Sequence, residues 1–149
     1  MSSKERYREL CDAYGDRIPV FQQAWWMDTV CNGKEWDALL AADSDRILAA
    51  MPCLIRRRLG MRYIIQPQLT QFSGPVFFPP DDLSPQRRVD FEHNACKLLI
   101  DKLKALKPDF FRQRLSPEVT DWLPFHWAGF SQTTRYTYRI TDIGDTQRV

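Results

Sequence analysis

The stretch from Ile47 to Phe78, ILAAMPCLIRRRLGMRYIIQPQLTQFSGPVFF, most constrains how this chain can fold. It contains three runs of β-branched, aromatic or aliphatic residues, and turn residues separate them. The first run, Ile47–Ile55, is apolar at consecutive positions, which is typical of a central strand covered on both faces. Pro52 lies inside this run and has no N–H to donate, so we expect a bulge or bend there.

The neighbouring residues predict a three-stranded meander around this central strand. Trp36–Ala42 is predicted to pair with it across the turn Asp43–Arg46, which has hairpin-turn residues. After a second turn, Arg62–Ile65 runs back, and Gly74–Phe78 is the next short strand. Residues 66–75 (QPQLTQFSGP) are predicted to form an irregular loop that is polar but carries aromatic residues. Such loops on a rigid scaffold often carry function, although an ordinary crossover loop has the same composition.

Helices are predicted on either side of the meander. Residues 4–14 carry one apolar stripe, and a second helix is predicted from Pro19 through VFQQAWWMDTVC. Of the adjacent Trp25 and Trp26, we expect one to pack inward and the other to line a groove or an interface; the alternative is that both lie partly in the core. The longest helix is predicted from Ser84-Pro85 to Leu106, because serine and proline are typical of a helix start.

The last third of the chain predicts three further elements. Asp109–Leu115 alternates as a strand does, and Ser116-Pro117 predicts a helix that is broken at Pro124 and ends at Gly129. Gln132–Ile140 alternates strictly and predicts a final strand. The sequence therefore predicts an α+β (mixed α/β) fold, with a central, mostly antiparallel sheet and helices packed on its faces.

Composition excludes several classes of protein. The chain has 149 residues and a net charge of +2, which fits one domain and does not by itself indicate nucleic-acid binding. No apolar run reaches the roughly 20 residues of a membrane span, and the charged N-terminus does not resemble a signal peptide. We therefore expect a cytoplasmic protein without a membrane span.

The cysteines and histidines predict no metal site. Four cysteines occur singly, without a C-x-x-C motif, so buried free thiols are expected: Cys11, Cys31, Cys53 and Cys96. His93 and Cys96 are three residues apart and make half a zinc site at most, since structural zinc has four ligands. We expect no metal, no cofactor and no catalytic residue in this chain.

Several segments together resemble the N-terminal domain of FemAB-like proteins, which are named for peptidoglycan-bridge aminoacyltransferases and resemble GNAT acyltransferases. The resemblance is carried by PVFQQAWW at 19–26, the hairpin LAAMPCLIRRRLGMRYI, PQLTQFSGPVF and the late TRYTYRI. It implies one GNAT-like domain over residues 1–142, with 143–149 as a tail or the start of a linker. It also implies that the donor site belongs to a second GNAT-like half, so this chain would be a truncated, non-catalytic half of an N-acyltransferase.

The segment that would bind coenzyme A departs from the GNAT pattern. GNAT enzymes hold the pyrophosphate on backbone N–H groups of a glycine-rich turn before a helix. The matching segment here, 78–85 (FPPDDLSP), has no glycine, three prolines and two carboxylates. We therefore expect that this chain alone does not bind coenzyme A.

The expected role is to form one wall of a cleft that binds an acceptor amine. An anionic acceptor, such as a nucleotide-linked cell-wall precursor, suits arginine, whose planar fork matches phosphate. The candidate substrate-binding residues are Arg56, Arg57, Arg58, Arg62, Gln68, Thr70, Gln71 and Phe72. The four arginines are equally consistent with a solvated hairpin tip.

Two alternatives without enzymatic activity remain. A nucleic-acid-binding module would use the basic hairpin with Tyr63 and the strand with Arg135, Tyr136, Tyr138 and Arg139. On that strand the tyrosines and arginines alternate onto opposite faces, which disfavours this reading. An interaction domain would use the five tryptophans and nine phenylalanines to form a homodimer or to bind a missing second domain.

Overall fold

The computed structural model describes residues 1–32, 35–138 and 144. Its helices are α1 (Ser3–Ala13), α2 (Ala24–Cys31), α3 (Pro85–Ala105) and α4 (Leu123–Trp127), with 3₁₀ turns at Gly15–Arg17 and Val20–Gln22. Its strands are β1 (Trp36–Asp43), β2 (Arg46–Arg58), β3 (Met61–Ile65), β4 (Val76–Phe77) and β5 (Phe110–Arg112). The predicted α+β class is confirmed, with a mixed, mostly antiparallel five-stranded sheet.

The long strand β2 holds the sheet together. β1 pairs antiparallel along one side of it, while β3 and β4 pair antiparallel with different parts of the other side. β5 pairs parallel with β3. The β2–β3 turn has positive φ at both Leu59 and Gly60, which the twist of a two-residue hairpin requires. The predicted meander is thereby confirmed.

Helices cover the sheet on two faces, and each face has its own apolar core. One core joins α1 and α2 to residues of β1 and β2 such as Ala38, Ala50 and Leu54. The other core joins α3 and α4 to Met51, Cys53 and Ile55 of β2, among others. Consecutive residues of β2 therefore contribute to opposite cores, as the run of apolar residues on both faces predicted.

The expected bulge at Pro52 is wrong, because the β1–β2 register continues through the pair Ala38 and Pro52. The Pro52 carbonyl points away from β1 and accepts hydrogen bonds from Ser73 Oγ (3.4 Å) and Gln113 Nε2 (3.2 Å). At this position of β2 a backbone N–H would point away from β1, into the gap between β3 and β4. The missing N–H of Pro52 therefore breaks no hydrogen bond of the β1–β2 ladder. The bulge lies at Leu48 instead, since Ala41 pairs with Ala49 and Ala42 with Ile47.

The second predicted helix begins later than expected. Pro19 leads into the 3₁₀ turn, and Gln23 is extended, with its Nε2 donating to the carbonyls of Gly15 and Ile18 at 2.8 Å each. These bonds hold Gln23 out of a helix, and α2 starts at Ala24.

The helix predicted from Ser116 is also wrong over its first half. Ser116 donates its backbone N–H to the Ser73 carbonyl and Leu115 forms an isolated bridge with Ser73, so the chain is held beside Ser73 here and a turn follows instead of a helix. α4 begins only at Leu123, whose N–H is accepted by Asp121 Oδ1 at 2.9 Å. Pro124 lies in its first turn, where a missing N–H costs nothing.

The strand predicted at 132–140 is wrong for its described part. Residues 131–138 are exposed and form no strand, and 139 and 140 lie outside the described residues. Alternation stabilises a strand only where a neighbour supplies hydrogen bonds and buries one face. The predicted tail at 143–149 also lies outside the described residues, apart from Gly144.

No described helix is long and apolar enough to span a membrane.

Candidate binding surface

The loop of residues 66–72 leaves the sheet between β3 and β4 and is fixed by side-chain hydrogen bonds. Gln66 accepts the N–H of Arg114 at 2.8 Å through Oε1 and donates to the Thr70 carbonyl at 2.5 Å through Nε2. The buried Thr70 hydroxyl lies 3.2 Å from the Gln68 carbonyl and accepts from Trp26 Nε1 at 3.1 Å. The loop is therefore anchored at its base to Arg114, two residues after β5, and to α2.

Four aromatic side chains, which we call the aromatic wall, flank this loop: Phe21, Trp25, Trp26 and Phe72. Their rings meet edge-on, with centroids 5.1 Å apart for Phe21–Trp26 and Phe21–Phe72, and 5.8 Å for Trp25–Trp26. Trp26 is half-buried, whereas Trp25 is 57% exposed. The expectation that one tryptophan packs inward and its neighbour lines a surface matches this arrangement.

The tip of the loop presents polar and apolar groups to solvent. Gln68 and Gln71 are exposed, and Gln71 Nε2 donates to Thr137 Oγ1 at 3.2 Å. Leu69 is 85% exposed and has a φ of 58°, a backbone conformation that a leucine rarely adopts. Of the four predicted loop residues, Gln68, Gln71 and Phe72 are thus accessible, and Thr70 acts as an internal anchor.

The four predicted arginines do not converge on one site. Arg57 pairs with Arg62 on the α3 face of the sheet, where Arg57 lies 3.9 Å from Glu35 and Arg62 donates to the Leu106 carbonyl. Arg56 and Arg58 project from the other face, the one that α1 and α2 partly cover. Only Arg56 and Arg58 therefore share a side of the sheet with the aromatic wall.

On that side, the residues of the sheet beyond Leu54 are exposed or half-buried in the described part of the chain, and we call this region the open sheet face. It consists of Arg56, Arg58, Tyr63, Phe110 and Arg112. Tyr63 pairs with both Arg56 and Phe110, and Ile65 pairs with Arg112. Phe110 and Arg112 were not among the predicted site residues, because their position depends on the parallel pairing of β5 with β3. The sequence feature that could have identified them is the alternation of Phe110, Arg112 and Arg114 in DFFRQRL.

The segment before α3 does not fit a pyrophosphate. The Ser84 side chain already accepts the Arg87 N–H at 3.4 Å, and Pro85 has no N–H. Asp81 lies on this segment and pairs with Arg17 at 3.2 Å. Of the first three positions of α3, Pro85 therefore has no N–H and that of Arg87 is already bonded, which leaves few donors for an anion.

His93 and Cys96, which the sequence places three residues apart, do not form part of a metal site among the described residues. His93 Nε2 lies 2.7 Å from Asp121 Oδ2, so its partner is a carboxylate on the loop before α4.

Burial raises the pKa of Cys96 to about 12, and that of Cys53 to about 12, so neither thiol is a ready nucleophile. Cys11, Cys53 and Cys96 are buried free thiols, as predicted, and Cys31 is also buried. The described residues include no group of three potential metal ligands.

A separate cleft of about 510 Å³ lies between α1 and the β1–β2 turn and includes none of the predicted site residues. Arg17 in this cleft pairs with Asp81, and Arg6 donates to the Asp45 carbonyl at 2.9 Å. One arginine of the cleft is thus paired with an acid and another with a backbone carbonyl, and the remaining charged side chains, Glu9, Asp45 and Arg46, include both signs, so the cleft does not favour a particular ligand.

Comparisons with protein-family models, curated proteins and solved structures find no match to this chain.

Proposed function

We propose that this chain is a GNAT-type, FemAB-like domain that forms one wall of the acceptor cleft of an N-acyltransferase. The transferred group would be an acyl or aminoacyl group, and the acceptor an amine on an anionic molecule such as a cell-wall precursor. The order of elements supports the proposal: two helices, an antiparallel meander, a long helix and a strand parallel to its neighbour. The observation that carries it is the anchored loop at 66–72, which presents Gln68 and Gln71 beside the aromatic wall.

The structural reason is preorganisation. A binding surface gains affinity when its groups are already held in place, because less conformational entropy is lost on binding. Here Gln66 and Thr70 fix the loop from inside, so the exposed amides can contact a ligand without ordering the backbone. Arg56 and Arg58 lie on the same side of the sheet and would contact the anionic part of the acceptor.

In this proposal the chain is not catalytic by itself. The segment before α3 does not fit a pyrophosphate, so donor binding and chemistry are assigned to a second GNAT-like domain, in the same protein or in another copy. The proposed site of action is the cytoplasm, where nucleotide-linked precursors of the cell wall would be met.

The test is a titration of ¹⁵N-labelled protein with a nucleotide-linked muramyl peptide, followed by NMR. The chain has five tryptophans, and the indole N–H of Trp26 is bonded to Thr70, so its signal reports on the loop directly. We expect saturable shifts of the Trp25 and Trp26 indoles and of the Gln68 and Gln71 side-chain amides. The Trp25→Ala variant should weaken binding by about tenfold, as the loss of a central aromatic contact does.

Trp127→Ala is the matched control, since Trp127 is 66% exposed and lies on α4 in the opposite layer. It should bind like the unchanged protein. Shifts confined to residues outside the loop and the aromatic wall, or equal losses in both variants, would contradict the proposed acceptor wall.

A second candidate function is self-association. Three exposed apolar side chains lie in or beside the aromatic wall: Val20 (49% exposed), Trp25 (57%) and Leu69 (85%). Together they form an exposed apolar patch, which a single exposed side chain does not. Two copies of the chain could cover this region on each other through a two-fold contact.

A further inference from the structure

The open sheet face combines cations and aromatic rings on three adjacent strands. In paired strands, directly opposite residues project to the same side, so Arg56, Tyr63 and Phe110 form one row across β2, β3 and β5. Arg58 extends the surface two residues along β2, and Arg112 extends it two residues along β5. All three arginines are exposed.

These arginines differ from those on the other side of the sheet. Arg57 lies near Glu35, and Arg62 is bonded to the Leu106 carbonyl. Within the described part of the chain, no carboxylate lies within 4 Å of Arg56, Arg58 or Arg112. A cluster of exposed arginines without acidic partners is complementary to a polyanion.

Aromatic rings lie among these cations. The Tyr63 and Phe110 rings have centroids 6.2 Å apart and planes tilted by 49°, and Phe110 is 45% exposed. Neither ring is needed to complete the two cores described above. Sheet surfaces with exposed aromatic rings between arginines are the stacking platforms on which single-stranded nucleic acids bind.

We infer that the open sheet face binds single-stranded nucleic acid. Bases stack on Tyr63 and Phe110, and phosphates contact Arg56, Arg58 and Arg112. The sequence analysis disfavoured nucleic acid because the tyrosines and arginines of 132–140 alternate onto opposite faces. On β2, β3 and β5 the register instead brings aromatic residues and arginines onto one face, which pattern analysis of single strands cannot show. The inference shares Arg56 and Arg58 with the proposed acceptor wall, but Tyr63, Phe110 and Arg112 belong to it alone and it does not require acyl transfer.

The test measures fluorescence anisotropy with a fluorescein-labelled oligothymidylate of about 12 nucleotides, a length within the usual site sizes of such surfaces. We expect the logarithm of the association constant to fall with the logarithm of salt with a slope of about −2. This follows because each of three neutralised phosphates on a single strand contributes about −0.7.

Substitution of the arginines tests the assignment. The triple variant Arg56→Gln, Arg58→Gln, Arg112→Gln should lower affinity by about tenfold or more and flatten the salt dependence. The matched control is Arg87→Gln, Lys97→Gln, Lys102→Gln, which removes the same charge from exposed positions of α3 on the other side of the sheet. Its affinity should change by less than about threefold, the effect of net charge alone.

Stacking is tested separately at Phe110. Phe110→Leu should weaken binding by about fivefold or more, whereas Phe110→Tyr should retain it, because tyrosine keeps a stacking ring. Circular dichroism and thermal melting confirm that each variant is folded, and the Tyr variant distinguishes a stacking role from a structural one. Absence of binding, equal losses in the two triple variants, or equally tight binding of a duplex of the same length would overturn the inference.

Discussion

At the scale of single residues, Gly74 is the described glycine at which an added side chain has the least room. Its φ is 98°, and a Cβ built there would lie 2.6 Å from Leu115 Cδ2. Gly74→Ala should therefore lower the free energy of unfolding by about 2 kcal/mol or more, from backbone strain and the clash together.

Urea denaturation measures this change, and Gly15→Ala is the control. No heavy atom lies within 4 Å of a Cβ at Gly15, so alanine there should leave stability unchanged or raise it slightly by restricting the unfolded chain. If both substitutions lower the free energy of unfolding equally, the close approach of the 73–74 segment to Leu115 is not the reason that position 74 requires glycine.

Thr70 tests whether the loop is held by the hydrogen bond from Trp26. Thr70→Val keeps the side-chain shape but leaves the Trp26 indole N–H without its acceptor, so unfolding should become easier by about 1–2 kcal/mol. Thr29→Val is the comparison, because the Thr29 hydroxyl is exposed and bonds only to the Trp25 carbonyl of its own helix. That variant should differ from the unchanged protein by less than about 0.5 kcal/mol in urea unfolding.

At the scale of elements, the His93–Asp121 contact joins α3 to the start of α4 and predicts a pH dependence. The hydrogen bond from His93, followed by that from the Leu123 N–H, lowers the pKa of Asp121. A carboxyl whose folded-state pKa is lowered stabilises the fold above its unfolded pKa of about 3.9, and this contribution is lost as the pH falls through the folded-state value.

Asp121→Asn should therefore reduce stability at neutral pH, and the difference from the unchanged protein should shrink as the pH falls below the unfolded pKa of about 3.9. Urea unfolding at several pH values measures it. Asp101→Asn on the exposed side of α3 is the control, and it should show no such convergence. A difference for Asp121→Asn that stays constant down to pH 3 would mean that the charge of Asp121 does not hold α4.

The elements that local signals specify were predictable, and those that depend on distant partners were not. Ser84-Pro85 marked the start of α3 correctly, and the turn at Leu59-Gly60 marked the β2–β3 hairpin. The helix predicted at Ser116 failed because Ser73, more than forty residues earlier, holds the chain beside it there. Arg56 and Arg62 were grouped because they are near in sequence, whereas strand register puts them on opposite faces.

At the scale of the whole molecule, the second candidate function predicts a concentration-dependent dimer. Sedimentation equilibrium should show it, because the exposed residues around the aromatic wall would be covered by a second copy. Trp25→Ser should shift the protein to monomer, while Trp127→Ser on the opposite layer should not. A strict monomer at high concentration would leave the acceptor-wall proposal as the better account of this surface.

The gap opposite Pro52 also has a consequence for how the molecule moves. On that side of β2, β4 pairs near Ala50 and β3 pairs from Leu54 onward, and among the described residues the side chains of Ser73 and Gln113 bond to the Pro52 carbonyl between them. β1 pairs continuously along the other side of β2, so the β2–β3 and β2–β4 ladders are joined through β1 and β2 but not directly to each other. We therefore expect amide protons on the β3 side to exchange with solvent through local openings that leave the β4 side closed.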